Sequence, residues 1–202
     1  MSDESGHTAK KSDPCIIIVA APSGSGKSSL AKHLMTELPS IRFSVSATTR
    51  PPRAGENDGV DYHFLNEESF RDAIDQNQLL EYEEVYPGRF YGTLRSEVDR
   101  SSVNAPVLLD VDVVGALNVK ESYESRCLAV FVSVPSMDEL ESRLRLRGTE
   151  TEETLRTRIE KATYEQSFAN RFDHQIMNDD LDRASAELIA LVRSFLDSCE
   201  PS

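Results

Sequence analysis

The chain has 202 residues, 39 % of them hydrophobic, and carries 35 acidic against 22 basic side chains for a formal net charge of −13. That length suits one α/β domain with insertions and a sizeable core. The acidic balance excludes broad nucleic-acid binding through a basic surface, so a polyanionic ligand needs a local cluster of cations.

Residues 1–13 (MSDESGHTAKKSD) read as a disordered tail ahead of Pro14. They are polar and lack the apolar stretch of a signal peptide. No apolar run approaches the roughly 18 residues of a membrane span, so the expectation is a soluble cytoplasmic protein without a membrane partner. Cys15, Cys127 and Cys199 have no close pairing and no metal-ligand spacing. They read as reduced cytosolic thiols. His7, His33, His63 and His174 are equally scattered, which argues against a transition-metal site.

Cys15–Ala20 (CIIIVA) has the short β-branched pattern of a buried parallel strand, and Lys27–Leu38 repeats Leu30, Leu34 and Leu38 at helical spacing. Between them lie Ala21, Pro22, Ser23, Gly24, Ser25, Gly26, Lys27, Ser28 and Ser29. A flexible turn would account for the serines and glycines alone; a strand before and a helix after make a phosphate-binding loop. Gly24 and Gly26 permit positive φ and a close backbone approach. Successive N–H groups and the helix N-terminus then favour an anion. Lys27 can reach the β/γ-phosphates of a nucleotide, and the Ser28 hydroxyl can sit on Mg²⁺. Ala21 stands where the pattern usually begins with Gly, a mild departure.

Arg42–Ala47 alternates like a strand and runs into Thr48-Thr49-Arg50-Pro51-Pro52-Arg53-Ala54-Gly55-Glu56. Prolines fix φ, so placing Arg50 and Arg53 costs less entropy, and arginine binds phosphate in bidentate fashion. Asp61–Leu65 reads as a short strand, and Asn66 caps a helix to Asp75. Leu79–Tyr86 and Arg89–Thr93 form a hairpin about Pro87-Gly88. Then follow a helix over Arg95–Ser102, a buried strand over Pro106–Val111, a helix over Val113–Lys120 and a strand over Leu128–Val134. Ser136 caps a helix ended by Gly148, and Thr151–Asn170 is a long charged helix with few apolar residues. Gln175–Asn178 is a last strand before the amphipathic helix Leu181–Leu196. Asp110, closing its apolar strand beside the phosphate loop, can organise Mg²⁺ and its waters.

Taken together, APSGSGKSS, SVSATTRPPRAGE, GVDYHFL, RFYGT, LLDVD and RGTETEE resemble guanylate kinase over roughly residues 15–198. The resemblance implies an α/β P-loop nucleoside monophosphate kinase with a parallel core sheet flanked by helices, a β-rich GMP-binding insertion and a helical lid. The expected division is a core of 14–47, 95–136 and 171–198, an insertion at about 48–94 and a lid at about 137–170, within one domain spanning 14–202. It implies ATP as phosphoryl donor, Mg²⁺ as cofactor and GMP as acceptor, with direct in-line transfer. Ser46, Arg50, Arg53, Tyr62 and Tyr91 would hold the GMP phosphate and its surroundings. Glu81, Thr93 and Asp112 would line the guanine pocket, where carboxylates suit the N1–H and 2-amino donors. Arg147 and Arg158 match the lid arginines that close over ATP, Arg143 less closely, and Asn178 and Asp179 match adenine-side contacts. Arg53 and Lys27 join the lid pair as the expected catalytic cations. Two other readings share parts of this pattern. A kinase of a ribose bisphosphate would keep the phosphate loop without needing Glu81 or Asp112. A guanylate-kinase-like scaffold module typically loses its ATP loop, whereas this chain retains Lys27 and Ser28.

Overall fold

The computed structural model describes residues 13–146 and 151–199. Five parallel strands form the larger sheet: β1 (Ile16–Ala20), β2 (Arg42–Phe43), β7 (Val107–Leu109), β8 (Cys127–Ser133) and β9 (His174–Met177), in the order β2-β7-β1-β8-β9. β1 is central, with Ile16 opposite Val107 on one side and Cys127 on the other. Every residue of β1 and β8 is buried, as expected for strands covered on both faces.

Alternation along β1 divides its side chains between two layers. Ile16 and Ile18 pack with Ala116 and Leu117 of α4 (Val113–Tyr123). Ile17 and Val19 pack with Leu30 and Leu34 of α1 (Lys27–Glu37) and with Leu188 and Val192 of α7 (Leu181–Cys199). Each fully buried aliphatic side chain contributes about 1.5–3 kcal/mol relative to exposure. The helix–sheet–helix sandwich holds the carboxyl end of β1 rigidly, and that end feeds the phosphate loop.

A second sheet contains β3 (Ser46–Thr48), β4 (His63–Phe64), β5 (Leu79–Tyr86) and β6 (Arg89–Leu94), ordered β4-β3-β6-β5. β3 pairs parallel with β4 and antiparallel with β6, which closes the β5–β6 hairpin. Helix α2 (Glu67–Asp75) lies against it, N-capped by Asn66, whose Oδ1 accepts from Ser69 N at 2.7 Å. Phe70 of α2 stacks on Phe90 of β6, ring centroids 5.3 Å apart.

The single strand expected over Arg42–Ala47 is corrected here: it is two strands in two sheets. Arg42 and Phe43 pair with Val107 and Leu108, and Ser44 N donates to Leu108 O at 2.9 Å as the last rung. Val45 N then donates to Glu97 Oε2 of α3 (Arg95–Asp99) at 3.3 Å, and Ser46 opens the register with Thr93. The helix expected to run to Asn170 is also shorter. α6 (Glu152–Gln166) begins with Thr151 capping Thr154 and gives way to a 3-10 turn at Ala169–Arg171. The chain turns inward there because Phe172 packs on Phe131, centroids 5.3 Å apart. α5 (Met137–Leu146) starts from Ser136, whose Oγ accepts from Glu139 N; its expected stop at Gly148 lies outside the described residues. Among the described residues no helix is long and apolar enough to cross a membrane.

Candidate active site

β1 delivers Ala21–Ser29 at the middle of the larger sheet. Gly24 and Gly26 stand at φ 97° and 93°, values that a Cβ would strain. Ser25 N donates to Pro22 O at 3.1 Å, and Gly26 O accepts from Ser29 N and Leu30 N as α1 begins. Behind the loop, the buried amide of Asn178 donates to Ser25 O at 2.6 Å and abuts the Gly26 Cα. The loop is thus braced from the protein side, and the first N–H groups of α1 remain for a ligand. Lys27 Nζ is ion-paired with Asp110 Oδ1. Both line a cleft of about 630 Å³ with Ser28, Arg158 and Asp112.

A second cluster of expected site residues lies on the smaller sheet. Arg50 is only 7 % exposed, and its guanidinium carbon lies 5.1 Å from the Tyr62 ring centroid and 5.6 Å from that of Phe64. Its two terminal nitrogens bind the Glu56 carboxylate at 2.8 and 2.9 Å, and Pro51 O accepts a further bond. Arg53 N donates to the same carboxylate at 2.6 Å. Hydrogen bonding to Arg50, then to the Arg53 backbone, holds the Glu56 carboxyl down at about 2. Tyr91 meets Tyr62 edge-on, centroids 6.2 Å apart, and pairs with Thr48 across β3. Sequence reasoning singled out Arg50, Arg53, Tyr62 and Tyr91, which the fold brings to one place. It gave no role to Glu56, whose three-residue spacing from Arg53 was the signal available.

Beside this cluster, Glu81 of β5 pairs with Thr93 of β6, and Thr93 Oγ1 donates to Glu81 Oε1 at 2.6 Å. Ser46 sits across from the same Thr93. Asp112 caps α4, its Oδ1 accepting from Gly115 N at 2.7 Å. A Cβ on Gly115 would lie 3.1 Å from both Cγ and Oε2 of Glu81, so this glycine is what lets the carboxylate lie against α4. Burial pushes the Glu81 carboxyl up to about 7; the Thr93 hydrogen bond opposes this, and the Asp112 charge adds to it. Desolvation therefore disfavours the charged form of Glu81 in the free protein.

The remaining candidates divide. Arg158 of α6 reaches the phosphate loop, Nη1 to Ser23 Oγ at 3.1 Å, whereas Arg147 lies outside the described residues. Arg143 is committed to Glu139 and to the Asn178 carbonyl at 3.0 Å. The Asn178 side chain, expected on the adenine side, is buried with its amide donating to Ser25 O. Asp179 is exposed and ion-paired with Arg183 of the next helix. Two cleft residues escaped sequence reasoning, Lys161 and Glu165 of α6, hidden in a run of charges that looks uniformly solvated. Burial pushes the Cys127 thiol up to about 12, which disfavours its thiolate form.

Comparison with known proteins agrees with this geometry. The family model described as guanylate kinase matches residues 13–195. A guanylate kinase of Salinibacter ruber is 51 % identical over 186 residues, covering 92 % of this chain and 99 % of the relative. One from Bacteroides fragilis is 47 % identical over 188 residues, covering 93 % and 92 %. Among solved structures, a guanylate kinase from Anaplasma phagocytophilum superposes with a TM-score of 0.68 at 30 % identity, covering 91 % of this chain and 87 % of that one. With a phosphate loop at the centre of its sheet and relatives aligned over nearly its full length, the chain belongs to the guanylate kinase family.

Proposed function

We propose a division of labour for the reaction of this family, ATP + GMP ⇌ ADP + GDP. The phosphate loop Ala21–Ser29 holds the ATP phosphates, with Lys27 leaving Asp110 for the β/γ-phosphates. Arg53 and Arg50 bind the GMP phosphate together with Tyr62 and Tyr91, and Arg50 gives up part of its Glu56 pairing to do so. Glu81, with Thr93, Ser46 and Asp112, accepts from N1–H and the 2-amino group of guanine. Arg158 and Arg147 bring positive charge from the lid, α5 and α6, over the transferred group. A GMP phosphate oxygen forms the bond to the γ-phosphorus as the bond to the β,γ-bridging oxygen breaks. The nucleophile is already anionic, so catalysis rests on positioning and electrostatics without a general base.

Ser28 and Asp110 supply hard oxygen donors to the same cleft, the sparse protein donor set that suits Mg²⁺ bound mostly by phosphates and water. When bound, Mg²⁺ neutralises charge on the phosphate oxygens. The observation that carries the guanine reading is the Glu81–Thr93 bond at 2.6 Å beside Asp112 and the Arg50 cluster. A kinase of a ribose bisphosphate needs no such acceptors.

The test is kcat/KM for GMP, IMP and AMP. AMP puts a lone pair against a carboxylate, and polar readout of this kind discriminates by about 10⁴–10⁵. IMP, which lacks only the 2-amino group, is expected to fall between them. Glu81→Gln narrows the gap to AMP, because its amide can turn a donor toward adenine N1. Equal values for GMP and AMP in the unaltered protein overturn the guanine assignment.

A further inference from the structure

Helix α6 carries Arg158, Lys161 and Glu165 at spacings of three and four, which places them on one face. All three line the cleft that contains the phosphate loop, Asp110 and Asp112. Glu165 is anomalous there. It is 8 % exposed in a helix whose other carboxylates are exposed, and no ion pair reaches it among the described residues. Burying an uncompensated carboxylate is unfavourable, and burial does push this one above its usual range, with Lys161 and then Lys27 opposing. Lys27 is already paired with Asp110. Lys161, one turn back, is exposed and makes no ion pair with a described residue. The cleft that it lines also takes in the phosphate loop and Val85 of β5.

We propose that Lys161 is a further cation of the phosphoryl-transfer cleft, contacting the substrate phosphates from α6, and that Glu165 is the positioning residue that keeps it over the cleft. This rests on the guanylate kinase reading above and extends it. The described charges lining the cleft cancel: Lys27, Arg158 and Lys161 against Asp110, Asp112 and Glu165. Two nucleotides bring several negative charges into that balance, so each cation aimed at them counts, and more as water is excluded. Lys161 thus shares a cleft with the loop proposed to hold the ATP phosphates. Glu165, fixed by burial, gives its flexible stem a preferred direction.

The experiment compares Lys161→Met, which keeps the stem without the charge, with Lys161→Arg. For Lys161→Met we expect kcat to fall about 10²-fold, the scale of one lost charge-stabilising group, while KM for GMP changes little; Lys161→Arg restores most of the loss. A bisubstrate compound joining adenosine and guanosine through a phosphate chain should bind Lys161→Met more weakly by calorimetry, with a shallower salt dependence. Unchanged kcat and unchanged affinity in Lys161→Met overturn the proposal. Glu165→Gln should lower kcat in the unaltered background and do nothing further in Lys161→Met, because it acts only through Lys161. Additive losses overturn the positioning role. Should the unaltered protein transfer no phosphoryl group to GMP, the functional reading fails separately. Lys161 is then judged by ATP affinity alone: equal ATP binding by Lys161→Met and the unaltered protein overturns it, and weaker binding restored by Lys161→Arg supports it.

Discussion

At the head of α1 about half of the cleft lining comes from one continuous run, Ala21–Ser29, whereas on the smaller sheet Arg50, Arg53, Tyr62, Glu81, Tyr91 and Thr93 are gathered from β5, β6 and the proline-bearing stretch that leads into β4. The first site is mostly backbone on a rigid strand, inside a core that buries all of β1. The second is side chains on a sheet whose own buried apolar cluster is Ala47, Phe70, Ala73, Leu79 and Phe90. In both an internal carboxylate already occupies the cation: Asp110 on Lys27 and Glu56 on Arg50. The pairings differ in strength. Asp110 is 48 % exposed in its pair, so solvent screens it and exchange for a phosphate costs little. Glu56 holds a nearly buried arginine by two bonds and an Arg53 N–H by a third. A local backbone site should therefore fail through one charged side chain, and a distributed site through small displacements of its scaffold.

The sharpest break on the local side is Lys27→Ala. Turnover should fall by at least about 10³-fold, the lower end of what a lost phosphate-binding cation costs in such enzymes. Folding should hardly change, since a pair this exposed contributes about 1 kcal/mol or less. Steady-state kinetics beside thermal unfolding checks both halves. Near-normal kcat in the folded variant would remove the phosphate-loop assignment.

On the distributed side the corresponding break touches no ligand. Gly115→Ala sets a methyl 3.1 Å from the Glu81 carboxylate, which is also tied to Thr93 at 2.6 Å. Displacement by a few tenths of an ångström is enough to misalign it with guanine, so KM for GMP should rise about tenfold, a loss near the 1.4 kcal/mol of one weakened hydrogen bond. Affinity for a non-hydrolysable ATP analogue should stay the same. Equal damage to both nucleotides would mean that the two halves are not separable in this way.

Legibility in the sequence follows the same division. β1, the phosphate loop and α1 were readable because a continuous apolar run, two glycines and a leucine repeat are local signals. The β5–β6 hairpin was readable for the same reason. What failed depended on distant partners. Arg42–Ala47 alternates as one strand, yet its first two residues bond to β7 and its last two to β6. The bond from the Asn178 amide to a carbonyl 153 residues away likewise left no local mark. Lys161 and Glu165 sit in a helix of low apolar content, and nothing in its composition reveals that one carboxylate is buried. The assignment of residues to guanine rests on family resemblance, since Glu81 within EYEE carries no local mark.

An effect of the same size is the most diagnostic, because it reads the ionisation of Glu81 directly. Its carboxyl stands at about 7, and guanine's two donors require the charged form. Between pH 6 and pH 8 the ionised fraction of such a group rises from about a tenth to about nine tenths, so KM for GMP should fall about tenfold as pH rises. The GMP phosphate also loses its second proton near pH 6, and Glu81→Gln isolates that contribution because the amide does not titrate. The same group sets a stability term of known sign. Its folded value lies above the ordinary 4.5, so folding favours the protonated form. The resulting cost appears as pH rises through 4.5 and is complete above 7, at about 3 kcal/mol by 1.36 kcal/mol per unit. Ligand-free Glu81→Gln should therefore unfold at a higher temperature than the unaltered protein at pH 8, with the difference vanishing near pH 4.5. A stability gain joined to a loss of guanine recognition is what a buried carboxylate kept for binding predicts. Identical pH slopes of KM in the two proteins would take Glu81 out of contact with the base.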